Sequence, residues 1–348
     1  MKRLAIVGAI AGLLLLIGLV AWQGSEQVLG ALQHAGWPLL LLVPARLFTL
    51  SLDARAWRIL LKGSCAACAQ SQEAPQRVPG MPFLLWVAAV REGVNRLLPA
   101  AGVGGEVVGV RLVGTRIPDL AAVTASVIVE VMLTVTVLYL YCGLGVVLMA
   151  QIAAGMGQVW VIAASLALSL PLPLLAWWLL HSGAPFRRLE RWATRLLGSR
   201  AAWPVALEGG RIDAAVTRLF AQRARLLRAL GWQLLSYLLG SFETWYALRL
   251  LGHPVDIQTA LAIEALTQAV RNAGFLVPAG LGVQEAAVLL FGYLAGVGSE
   301  VALSLALVKR MREILVGVPA LLSWQWFEAR RLRAARPVSP PGCAPPGT

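Results

Sequence analysis

The chain has 348 residues, 58% of them hydrophobic and only 14% charged, with a mean hydropathy of +0.73 and a formal net charge of +13. That balance excludes an ordinary soluble domain and a disordered chain, and it marks an integral membrane protein. The positive charge does not point to nucleic acid, because it is confined to particular loops between apolar runs.

A bilayer core of roughly 30 Å takes about 20 apolar residues per helix. Leu4 to Trp22 is the first such run. It follows Lys2 and Arg3 as a signal peptide would, yet it is longer than a typical signal core and no small-residue cleavage site follows, so it reads as a retained first helix. Trp37 to Leu61 is the second run, and residues 63–82 read as a loop. Cys65 and Cys68 form a lone C-x-x-C in that loop, without the second pair or neighbouring histidine that a structural zinc requires. His34, His181 and His253 lie far apart near span ends, so no metal site and no cofactor is expected.

Residues 82–113 break the pattern. Only Pro82 to Val90 is continuously apolar, about 13 Å of helix or half a bilayer. Arg91, Glu92, Asn95 and Arg96 follow, then the interruption carrying Pro99, Gly102, Gly104, Gly105 and Glu106. Broken backbone at membrane depth survives only where protein or a water-filled cavity satisfies its freed N–H and C=O groups. The segment therefore reads as a re-entrant helical hairpin.

Leu120 to Tyr141 is a further span, and no charged residue occurs from Val131 to Phe186, so Trp160 to Leu180 follows as another, with Cys142 to Gln158 connecting them. Residues 182–228 then gather ten arginines against Glu190, Glu208 and Asp213. Within them "FRRLERWATRLLG" sets Phe186, Leu189, Trp192, Leu196 and Leu197 on one helical face with arginines between, the pattern of an amphipathic helix on an anionic cytoplasmic surface. Ala229 to Leu251 is a span. Residues 258–297 repeat the interrupted pattern with Arg271, Asn272, Gly274, Pro278, Gly280, Gly282, Gln284 and Glu285. The last span, Val301 to Phe327, carries Lys309, Arg310, Arg312 and Glu313 midway. Residues 337–348 form a Pro-rich tail that reads as disordered.

The expected fold is a single membrane domain over residues 1–336: an all-α polytopic protein with about six full transmembrane helices plus two opposed re-entrant hairpins forming an inverted repeat. Residues 23–36, 142–158, 252–258 and 296–300 hold no Lys or Arg, which places both termini in the cytoplasm by the positive-inside rule. Pro99 and Pro278 align the two hairpins; each is followed by alanine and, seven residues after the proline, by Glu106 or Glu285. The first hairpin returns to Arg111 and Arg116, and the second follows the uncharged loop around His253, so they enter from opposite faces. Inverted repeats with broken helices meeting at the midplane recur in transporters. The alternative is a pair of kinked helices that cross completely.

Charges inside a span cost roughly 2.5–3.5 kcal/mol each, so they should face a polar interior. Glu130, Glu243 and Glu264 join the hairpin residues as further candidates. Arginine forks and exposed helix N-termini suit a phosphate or carboxylate, hence a lipid headgroup whose tails stay in the bilayer. The plainer reading is that Arg and Glu pair with each other and lock the hairpins. No nucleophile-base set is present, so no enzyme is expected.

The stretches "REGVNRLLPAAGVGGEVVGVRL" and "VPAGLGVQEAAV" resemble the membrane region of lysylphosphatidylglycerol synthases, a flippase-like family that also occurs without its soluble domain; the first is similar to the HpnL-like branch associated with hopanoid biosynthesis. Ala279 stands where many members have glycine. The resemblance covers about Leu4 to Arg333 and implies a bacterial inner-membrane lipid flippase or transporter, with hopanoid or anionic phospholipid as cargo. It implies no aminoacyl transfer, since the soluble domain is missing. Two rivals stand beside it: a non-transporting scaffold for hopanoid biosynthesis enzymes, and an intramembrane enzyme using Glu106 with Glu285. Oligomeric state is not legible.

Overall fold

The computed structural model describes residues 36–68, 77–98, 104–152, 209–273 and 282–334, together with Ala164, Ala167, Leu170, Pro171, Leu174 and Trp178. The expected first span, the "FRRLERWATRLLG" helix, the tail, and Pro99, Gly102, Gly274, Pro278 and Gly280 lie outside the described residues. The described residues are helical and contain no strand: a 3-10 turn at Trp37–Leu41, then α1 Leu42–Cys68, α2 Met81–Leu97, α3 Gly104–Gly114, α4 Leu120–Ile152, α5 Gly209–Ala221, α6 Arg223–Leu250, α7 Ile257–Ala273, α8 Val283–Leu294 and α9 Ser299–Ala334.

Two of these helices are long and apolar enough to cross a membrane, Trp37–Cys65 and Leu120–Ile152. Helices α6 and α9, at 28 and 36 residues, have the length but carry charges that lower their hydropathy. Hydropathy counts each charge as exposed, whereas Glu243 of α6 and Lys309, Arg310, Arg312 and Glu313 of α9 are ion-paired inside the protein. The expected connection at Cys142 to Gln158 is corrected: α4 continues to Ile152. Gly145 lets α4 lie against α7, since a Cβ there would stand 2.7 Å from the Ala265 Cβ. Packing outweighs the weak helix propensity of glycine. The apolar face of α5, with Ile212, Val216, Leu219 and Phe220, is buried against α1 and α4.

Helices α1 and α6 run antiparallel, with the Ser236 hydroxyl donating to the Thr49 carbonyl at one level and Gly63 facing Gln222 and Arg225 at another. Helices α2 and α9 are antiparallel as well, with Trp86 donating to Ser323 and Gly93 seated on Gly317. Exchanging α1 with α6, the α2–α3 pair with α7–α8, and α4 with α9 turns every packed pair among these helices into another packed pair. Helix α5 stands outside this relation.

The ends of the bundle differ in charge. At one end α1, α3 and α9 finish and α2, α4 and α6 begin, bringing together Lys62, Arg111, Arg116, Arg223, Arg228, Arg330 and Arg331. Arg116 and Arg330 lie over the rings of Phe83 and Trp326, 3.9 and 3.6 Å from the ring centres. The opposite end, where α7 begins and α8 finishes, has Arg249 as its one cation among the described residues. Hairpin α2–α3 thus opens toward the basic end and α7–α8 toward the other. Apolar clusters fill both ends, one around Phe291, Leu248 and Met149, the other around Trp57, Leu84 and Leu112.

Asp119 caps α4 by accepting from the Ala122 N–H at 3.1 Å. Asp119→Ala is expected to lower stability by about 1 kcal/mol, read as a reduced apparent Tm in detergent, with the charged interior unaffected.

Candidate functional site

Between the apolar ends lies a charged layer centred on Glu313, near the middle of α9, whose side chain has 0% exposure. The Arg271 guanidinium donates to its Oε1 at 2.8 Å and Arg310 to its Oε2 at 3.0 Å. Arg96 and Arg312 stand 3.6 and 3.9 Å away. Arg96 comes from the last turn of α2 and Arg271 from the last turn of α7, so the hairpins approach from opposite ends of the bundle and meet on one carboxylate.

Each arginine also has a partner behind it. Arg96 reaches Glu92 at 3.8 Å, Arg310 reaches Glu285 at 2.9 Å, Arg312 pairs with Glu243 of α6, and Arg271 also donates to Gln284. Glu92 in turn accepts from Arg46 of α1 at 2.8 Å. One connected network therefore ties α1, α2, α6, α7, α8 and α9 together. Glu92 Oε2, Glu243 Oε1 and the Arg312 Nε are buried in it without a hydrogen-bond partner among the described residues. Buried polar atoms rarely stay unsatisfied, so this layer has capacity for further polar groups.

A second cluster lies within hairpin one. Arg91 holds Glu130 of α4 at 2.9 Å and Glu106 of α3 at 3.3 Å, with its guanidinium 4.7 Å from the centre of the Trp57 ring. Asn95 donates to Glu106, and its Oδ1 accepts from the Gly105 N–H at 2.8 Å, capping the α3 N-terminus from α2. The geometry repeats in hairpin two. Arg91 joins its own second arm at Glu106 and the following helix at Glu130; Arg271 joins its second arm at Gln284 and the following helix at Glu313. The Pro-aligned pair Glu106 and Glu285 is thus displaced by one position, with Gln284 taking the arginine and Glu285 turning to Arg310 while accepting from the Gly282 N–H at 2.8 Å. Gly282 has φ 80°, a left-handed conformation that glycine adopts readily.

Not every residue singled out in the sequence joins these clusters. Lys309 pairs with Glu264 of α7, which also accepts from Thr244 and from Gln268 at 2.9 Å. The Asn272 amide donates to the Gln268 carbonyl at 2.7 Å on the exposed side of α7. Gly104 is the first residue of α3. Arg46 was missed, although an arginine inside an expected span is itself a signal of a polar interior.

Residues 9–320 match the lysylphosphatidylglycerol synthase transmembrane-region family. The chain belongs to this family. It is accordingly a lipid-related membrane protein, and both hairpins and the Glu313 layer fall inside the matched residues. No curated protein and no solved structure matched. Within this family member, the chemistry available at the centre is that of arginine forks. Such forks match carboxylate and phosphate alike in geometry.

Proposed function

We propose that this family member moves lipid between the leaflets of a bacterial inner membrane, with both termini in the cytoplasm and the two hairpins re-entrant from opposite faces. The observation that carries this reading is the meeting of Arg96 and Arg271, one from each hairpin, on the fully buried Glu313. An anionic headgroup entering from either face reaches one of these arginines first and exchanges with the carboxylate, while its tails stay in the surrounding bilayer. The exchange keeps charge balanced at each step, which a buried site requires. No enzyme activity, metal or cofactor is part of this proposal. Hopanoid or anionic phospholipid is the cargo.

The second reading is a non-transporting scaffold for hopanoid biosynthesis enzymes. It is favoured by the ion-paired state of Arg91, Arg96, Arg271 and Arg312, which makes them locks as they stand.

Leaflet exchange of a labelled phosphatidylglycerol and a labelled hopanoid analogue, in liposomes holding the purified protein, separates the two. Wild type is expected to exceed empty liposomes. Arg271→Ala and Arg91→Ala are each expected to lower the rate at least tenfold while the protein remains folded by gel filtration, the tenfold corresponding to about 1.4 kcal/mol. Exchange equal to empty liposomes would remove the transport reading and leave the scaffold.

A further inference from the structure

A groove of about 770 Å³ lies outside the charged layer, between α4, the start of α6 and the positions Leu170 and Leu174. Its volume falls in the range of ligand pockets, and its lining is nearly all apolar. It runs along α4 from Met132 to Val146, about 21 Å at 1.5 Å per residue, which exceeds the depth of one leaflet. Gln233 of α6 contacts Thr134 at 3.1 Å, so Arg223, ten residues earlier on α6, marks the end of the groove toward the basic face. Arg223 and Arg228, both near the start of α6, are exposed, and no acidic residue lines the groove among the described residues.

We infer that this groove is a binding site for an anionic diacyl phospholipid, one acyl chain lying along α4 between Met132 and Val146 and the phosphate resting on Arg223. The charge at one end and the apolar length behind it match that molecule in order: an anion at the membrane surface, then hydrocarbon toward the midplane. A zwitterionic lipid of the same chains fills the groove without the attraction at its mouth. The site holds lipid whether or not the protein exchanges it between leaflets, so it stands apart from the transport reading.

Native mass spectrometry of the full-length protein, titrated with phosphatidylglycerol and with phosphatidylcholine of identical chains, tests it. Wild type is expected to prefer phosphatidylglycerol. Arg223→Gln is expected to weaken phosphatidylglycerol binding about fivefold, the contribution of one basic residue at an anionic surface, and to leave phosphatidylcholine unchanged. Gly143→Leu fills the groove from a position where an added Cβ meets nothing within 4 Å, so the fold tolerates it, and it is expected to weaken both lipids. Equal binding of both lipids in wild type and both variants would overturn the proposal. So would phosphatidylglycerol binding lost in Arg271→Ala but kept in both groove variants, which would put the bound lipid at the hairpins alone.

Discussion

Replacing Glu313 with leucine is expected to destabilise the protein by about 3–5 kcal/mol, the cost of removing one partner from a buried ion pair. The size of the effect follows from the surroundings. Four guanidiniums lie within 4.0 Å of this carboxylate, and its side chain has 0% exposure, so water cannot replace it. Arg96, Arg310 and Arg312 keep Glu92, Glu285 and Glu243, but Arg271 is left with the neutral Gln284. The double variant Glu313→Leu, Arg271→Leu is therefore expected to recover part of the loss, and the cycle reports the coupling between them. The apparent Tm of the purified protein in detergent reads both. A midpoint equal to wild type in Glu313→Leu would mean that bound anions, rather than the carboxylate, neutralise the arginines.

The location of the breaks was legible because it rests on local chemistry. Apolar runs too short for a bilayer, followed by Arg and then by Pro and Gly, have few ways to be satisfied. Helix α2 ends where the Leu98 backbone turns extended, and α8 begins after Gly282, whose φ is 80°, while residues 99–103 and 274–281 lie outside the described residues. The pairing of Arg91 with Arg271 as equivalent positions also came from the sequence, and both bridge their own second arm and the helix that follows. What sequence spacing could not supply is which charge faces which. Glu313 looked like one member of a four-residue charged run, and only the antiparallel seating of α2 on α9 brings Arg96 to it. The length of α4 was hidden for a related reason. Gly143 and Gly145 weaken a helix read alone, while the close approach of Ala265 depends on a helix more than a hundred residues away.

Gly105→Ala is expected to cost about 1–3 kcal/mol and to abolish lipid exchange, although it adds a single methyl group. The added Cβ would lie 2.5 Å from the Arg91 carbonyl oxygen and 2.7 Å from the Asn95 amide nitrogen. A backbone oxygen in the middle of α2 cannot move without moving the helix. The two arms must therefore separate, which breaks the Asn95 cap on α3 and withdraws Glu106 from Arg91. Gly109 offers the contrast within the same hairpin: its Cβ would meet the Arg91 Cδ at 2.7 Å, a side-chain atom that can shift, so alanine there should cost less. Gly231, in the open face of α6, has nothing within 4 Å, and Gly231→Ala is expected to be neutral or to stabilise by up to about 1 kcal/mol. Apparent Tm and exchange rate for the three variants, measured side by side, give the ordering. If Gly105→Ala matched Gly231→Ala in both, α2 and α3 would not be packed arms of one hairpin, and Arg91 would bridge them only loosely. The predicted ordering would instead locate the functional constraint in the closeness of the arms, since charge is unchanged in all three.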